Sequence, residues 1–282
     1  MKKIWTTIGL GIVFFFAAIG VLFTAVFFAM QFNLLNVRGS IAGRNAFFLG
    51  SATSTIPAQP CDAVTQTICN WNQTPEWDVV KGGLTKDASV IDRVSQETGV
   101  DERMIAAVVV PEQMRFFTSN REVFKRYFEP LKILGSLSQF SLGVSGIKED
   151  TAKAIEAYAA DMTSPFYPGD GTSALITYPA GVDHDEELYN RLTDDKDHYY
   201  SILYTALYIK EVESQWQKAG YDISHNPGAV TTLFNIGFGG SHPNPSPKAA
   251  GAAIEVGGRT YTYGELGEDF YISDQLTDVF PR

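Results

Sequence analysis

Apolar and polar positions divide the chain into three zones. From Ile4 to Val37 no charged side chain occurs, and Phe, Val, Ile, Leu and Ala dominate. A bilayer-spanning helix needs roughly 20 apolar residues, whereas the apolar core of a signal peptide has about 7–15. The pattern therefore predicts a retained transmembrane anchor over residues 1–37, with cleavage near Gly39-Ser40-Ile41-Ala42 as the alternative. Residues 38–75 mix Gly, Ser, Thr, Pro, Asn and Gln with scattered apolar positions and read as a juxtamembrane spacer.

From residue 76 to 282 the spacing becomes helical. Val90, Ile91 and Val94 share one face of a helix over 88–98 that stops at Gly99. Asp101 caps a second helix whose Met104–Val110 run is apolar all round, a mark of burial, with Pro111 inside it or at its end. Further helices are expected over 121–128, 151–161, 198–219 and 229–234, the third of these closing at Gly220. Ala253–Val256, Gly257-Gly258 and Arg259–Tyr263 read as a β-hairpin. The expected fold is mainly α: one helical domain with a small hairpin, preceded by one transmembrane helix.

Composition narrows the partners. The 282 residues are 45% hydrophobic, enough for one core, and the net charge of −10 argues against nucleic acid, which selects a basic face. Lys2 and Lys3 precede the apolar run, so a short tail inside and an exported domain is the expected orientation. Cys61 and Cys69 lie close together in a loop-like segment without a neighbouring His. They suit a disulfide in an oxidising compartment better than a metal site, with two free thiols as the alternative.

Three segments carry candidate chemistry. Glu112 follows the Ala/Val run, where desolvation favours the protonated carboxyl that glycosidic oxygen needs as an acid. Leu137–Ile147 is a Ser- and Gly-containing loop, holding Gln139, Ser141, Gly143 and Gly146, that leads into a helix through Thr151-Ala152. Glycines there let the backbone approach a ligand closely. Phe234-Asn235-Ile236-Gly237 ends a helix with a turn.

In order and type these segments resemble the lytic transglycosylases and goose-type lysozymes. There a catalytic Glu, a Gly-Leu-Met-Gln loop before a Thr-Ala helix, and Tyr-Asn-Ala-Gly shape a sugar-cleaving groove. The resemblance covers roughly residues 87–240 and implies a lysozyme-like domain that acts on peptidoglycan. It implies Glu112 as the single acid/base: it protonates the glycosidic oxygen, then deprotonates the muramoyl 6-hydroxyl, giving a 1,6-anhydro product with no metal or cofactor. Gln139, Ser141, Gly143, Gly146, Tyr200, Phe234, Asn235 and Gly237 become the substrate-binding candidates. Gly146 stands where the family has Gln, with Gln139 as a replacement. Gln113 stands where it has Ser. Phe234 lacks the family's hydroxyl, for which Tyr199, Tyr200 and Tyr204 are candidates. These departures leave open a non-enzymatic glycan-binding or scaffolding role. The acidic runs 183–187 and 194–198 read as solvated loops and a helix start, with Asp183 or Asp185 the candidates should a hydrolase need a second carboxylate. The expected location is the inner membrane, domain facing the periplasm, with peptidoglycan strands as partner.

Overall fold

The computed structural model describes residues 69–116, 141–194 and 196–282. The expected anchor, nearly all of the spacer, Cys61, Gln139 and the expected helix at 121–128 lie outside them. No helix of the described residues is long and apolar enough to cross a membrane.

The architecture is mainly helical, with eight α-helices and two small antiparallel hairpins among the described residues. In chain order they are α1 (Pro75–Lys86), α2 (Ala88–Thr98), α3 (Glu102–Phe116), β1 (Ser141–Leu142), β2 (Ile147–Lys148), α4 (Glu149–Ala160), α5 (His184–Thr193), α6 (Tyr199–Lys218), α7 (Pro227–Ile236), β3 (Ala253–Val256), β4 (Arg259–Thr262) and α8 (Tyr263–Ile272). The hub is α3, against which α1, α2, α6, α7 and α8 all pack. Its all-apolar turns explain this: every residue from Met104 to Val110 is at most 2% exposed. The cap at Asp101 is present, its carboxylate accepting from Met104 N at 2.8 Å.

Pro111 lies within α3, and the helix runs on to Phe116. Glu112 is therefore a residue inside a helix and not its last. Proline has no N–H for the carbonyl four residues back, Ala107 O. That carbonyl faces α8 at Gly267, where an added Cβ would stand 2.9 Å from it. The missing side chain lets α8 settle directly on the interrupted turn.

Two helices exceed the sequence expectation. Asp183 caps α5 by accepting from Glu186 N at 2.9 Å. In α8, Thr262 and Glu265 form a reciprocal capping box, Thr262 N donating to Glu265 Oε2 at 2.7 Å. Tyr263, expected at a strand end, is thus the first residue of a helix. The hairpin itself matches: Ala253 pairs with Thr262 and Val256 with Arg259 around Gly257-Gly258.

Arg103 on α3 is fully buried and faces no carboxylate. Its Nε donates to Tyr271 O (2.7 Å), Nη1 to Gln275 O (3.1 Å) and Phe280 O (2.9 Å), and Nη2 to Phe270 O (2.9 Å) and Ser273 O (2.6 Å). One guanidinium thereby collects carbonyls from the end of α8 and the C-terminal segment.

Glu211 on α6 is the opposite case, fully buried with neither carboxylate oxygen hydrogen-bonded. Desolvation raises its pKa to about 10. The folded state then holds a proton that the unfolded chain releases above its ordinary value of 4.5. This contribution to stability is complete below that pH and is lost as pH climbs towards 10. Glu211→Gln removes the titration. The substitution is expected to stabilise the protein on the order of a few kcal/mol at pH 8 and far less at pH 5. Thermal melts of both proteins across that range measure the difference; equal gains at both pH values would contradict the buried, neutral carboxyl.

Candidate active site

Local sequence dictates how the loop after β1 approaches Glu112. β1 and β2 pair as Ser141 with Lys148 and Leu142 with Ile147, leaving Gly143–Gly146 as the turn. Both glycines have positive φ, 65° and 66°, a region L-residues with side chains avoid. Space makes the same demand. A Cβ on Gly143 would meet the Leu192 carbonyl oxygen and lie 2.5 Å from Ser201 Oγ. A Cβ on Gly146 would overlap Glu112 Oε1 and lie 2.5 Å from its Cδ.

Two helices hold the turn. Gln113, next to Glu112, donates from Nε2 to Val144 O. Ser145 N donates to Ser201 Oγ at 3.4 Å, and Ser145 Oγ to Ser201 O at 3.3 Å. Val144 and Ser145 are buried. Gln113, a departure from the family's Ser, thus joins the acid's own helix to the wall opposite it.

The third segment arrives from α7. Glu112, Gly146 and Phe234 through Gly237 line one half-open cavity of about 140 Å³, together with Arg115, Lys148, Thr151 and Tyr208. The Phe234 ring meets Tyr208 edge-on, with centroids 5.2 Å apart, and the Tyr208 hydroxyl donates to Leu233 O at 2.7 Å. Asn235 Oδ1 accepts from Ala252 N at 2.8 Å, so this side chain fixes the chain ahead of β3 and shapes the floor from below. Gly237, φ 78°, ends α7 by donating to Leu233 O. Among the described residues, Glu112 is the one carboxylate in this lining.

Two neighbours set the state of that carboxylate. Arg115, one turn along α3, places Nη2 2.7 Å from Oε1 and 2.6 Å from Oε2, with the two side chains 19% and 10% exposed. Tyr263 at the head of α8 is fully buried, and its hydroxyl donates to Val108 O at 3.1 Å. Burial first, then the charge of Glu112 and a hydrogen bond to it, push this phenol's pKa well above its usual value, while Arg115 opposes them. The hydroxyl absent from Phe234 is therefore supplied beside the acid by Tyr263.

The tyrosines expected to supply it lie elsewhere. Tyr199 donates to Glu97 Oε2 at 2.5 Å, and Tyr200 packs against Tyr199 with the Arg191 guanidinium 4.3 Å from its ring centre. Tyr204 is buried and bonded to Glu156 and Tyr178. None of the three lines the cavity, so Tyr200 is not brought to Glu112. Ser141 contributes through backbone pairing in β1. Asp183 is the cap of α5, and Asp185 pairs with Lys153 at 2.8 Å and His184 at 3.2 Å; neither enters the cavity.

Arg115, Tyr208 and Tyr263 escaped the sequence reading. A helix drawn past Pro111 would have placed Arg115 three residues from Glu112 on one face. The Thr-x-x-Glu signature at 262–265 would have marked Tyr263 as a helix start.

Gly146→Ala is expected to lower any activity of this cavity at least ~100-fold, because the methyl displaces the Glu112 carboxyl from its position. Left-handed strain adds a loss of roughly 1–2 kcal/mol in stability. Thermal unfolding and turnover of the variant test both effects, and undiminished turnover would mean that Glu112 does not work at this wall.

Comparison of the chain with protein-family models, curated proteins and solved structures finds no match.

Proposed function

We propose that the chain is a membrane-anchored peptidoglycan lytic transglycosylase with a lysozyme-like helical domain in the periplasm. One observation carries the reading: three segments far apart in sequence, Glu112, the Gly143–Gly146 turn and Phe234–Gly237, meet at one cavity, in whose lining Glu112 is the one carboxylate among the described residues. A one-acid mechanism asks for that arrangement. Glu112 protonates the glycosidic oxygen, and the resulting carboxylate takes the proton of the muramoyl 6-hydroxyl, which closes the anhydro ring. Tyr263 lies beside the carboxyl, and the missing side chain of Gly146 leaves the space that the carboxyl occupies. The charge-free run from Ile4 to Val37 behind Lys2 and Lys3 supports anchorage in the inner membrane. A Cys61–Cys69 bridge would fit that compartment.

A second reading is a glycan-binding or scaffolding module with a silent groove. The Arg115–Glu112 pair favours it, because a guanidinium on both oxygens stands where the mechanism would need the glycosidic oxygen. The two readings part on the products. The full chain in detergent is incubated with purified sacculi, and the soluble fragments are weighed by mass spectrometry. Fragments lighter by one water than hydrolytic ones are expected. Fragments of hydrolytic mass would make the protein a muramidase, and binding without release would make it a scaffold.

A further inference from the structure

The described lining of the cavity is at odds in charge with the chain. The protein carries −10 overall, yet among the described lining residues Glu112 meets two cations, Arg115 and Lys148. A neutral glycan gives no reason for two positive groups at its cleavage point, and peptidoglycan brings carboxylates there. Arg115 spends one nitrogen on both oxygens of Glu112, the grip that a guanidinium offers any carboxylate. The pair is local, three residues apart on one helix, so a change of side-chain rotamer parts it without moving backbone.

We propose that Arg115 is a substrate-operated gate: a carboxylate borne on the arm of the sugar next to the scissile bond takes Arg115 from Glu112 and frees the acid. This rests on the transglycosylase reading and adds a specificity to it. In the resting protein Arg115 occupies both oxygens of Glu112. An incoming strand with a carboxylate satisfies Arg115 in exchange, with Lys148 as a second positive group, and leaves the Glu112 carboxyl open to the glycosidic oxygen. A carboxylate-free glycan cannot make the exchange and leaves the gate closed. Two parts of the polymer carry the same chemistry, the lactyl carboxylate of peptide-free strands and the carboxylates of a peptide arm.

The test compares wild type, Arg115→Leu and Arg115→Lys on three probes: disaccharide-peptide strands, strands stripped of peptide, and chitohexaose, which has no carboxylate. Calorimetric binding and cleavage are both recorded. Wild type is expected to bind at least one carboxylate-bearing probe about 30-fold more tightly than chitohexaose, and Arg115→Leu to remove that preference. Arg115→Lys is expected to restore part of it. Which stripped or peptide-bearing probe shows the preference identifies the carboxylate. Cleavage selectivity is expected to collapse with binding selectivity, because Arg115→Leu opens the gate to chitohexaose and raises its turnover. Equal losses on all probes would reduce Arg115 to a structural ion pair and overturn the gate, as would a wild type blind to the carboxylate. Carboxylate-dependent binding through Arg115 with no cleavage of any probe would overturn the transglycosylase reading while retaining the recognition.

Discussion

Glu112→Gln is expected to cut glycan release from sacculi by about 10²–10⁴-fold, the contribution typical of a positioned acid/base. The amide matches the carboxyl in shape, so it fits the gap that Gly146 leaves. It cannot pass a proton to the glycosidic oxygen and take one back from a hydroxyl. The variant also loses the charge paired with Arg115, but that guanidinium is 19% exposed and keeps access to water. Folding should therefore suffer little, by about 1 kcal/mol or less. Binding to sacculi is expected to survive, since floor and wall are untouched. Glu112→Asp should be nearly as damaging, because one methylene withdraws the acid by about 1 Å and proton transfer is steep in distance. Release by Glu112→Gln at more than a tenth of the wild-type rate would remove Glu112 from the chemistry.

Arg103→Met should be the most damaging single change to the fold, with a loss of about 3–5 kcal/mol. Methionine fills much of the arginine's volume but donates nothing, and five carbonyls lose their donor in a buried place. The sum of five separate charged hydrogen bonds would overstate the effect, because burying an unpaired guanidinium is itself costly and the substitution relieves that cost. In a domain of this size the loss corresponds to a fall in Tm of about 10 °C or more. Arg103→Lys should lie between, since an ammonium has three donors and no planar fork. A melting point within about 3 °C of wild type for Arg103→Met would show that the carbonyls find other partners. The change also reaches the site, because α8 begins with Tyr263 beside Glu112 and ends at the carbonyls that Arg103 holds.

Much of this could be read along the chain. The apolar run of α3, the long α6 and the Gly-Gly hairpin follow from spacing and turn chemistry, and each lies where the pattern puts it. The convergence of Glu112, Gly146 and Phe234–Gly237 was legible in their order. What failed to show has physical causes. The pattern leaves Pro111 either inside α3 or at its end; the tertiary contact with Gly267 accommodates the interrupted turn, and with the extra turn comes Arg115. Tyr263 follows a strand with alternating aromatics, so periodicity extended the strand by one residue too many. Tyr200 is a sequence candidate for the hydroxyl that Phe234 lacks, but Arg191, nine positions earlier, covers its ring. Side-chain stacking between neighbouring helices leaves no periodic trace.

The bond from Gln113 to Val144 has a further consequence. The polypeptide leaves α3 at Phe116 and re-enters at β1, and both exits are pinned to each other within a few residues. Whatever length of chain joins them, the register between acid and opposing wall is already decided. Closing a longer connection costs little, since the entropy grows only with the logarithm of its length. The number of residues between 117 and 140 can therefore change without retuning how Glu112 faces the Gly143–Gly146 turn.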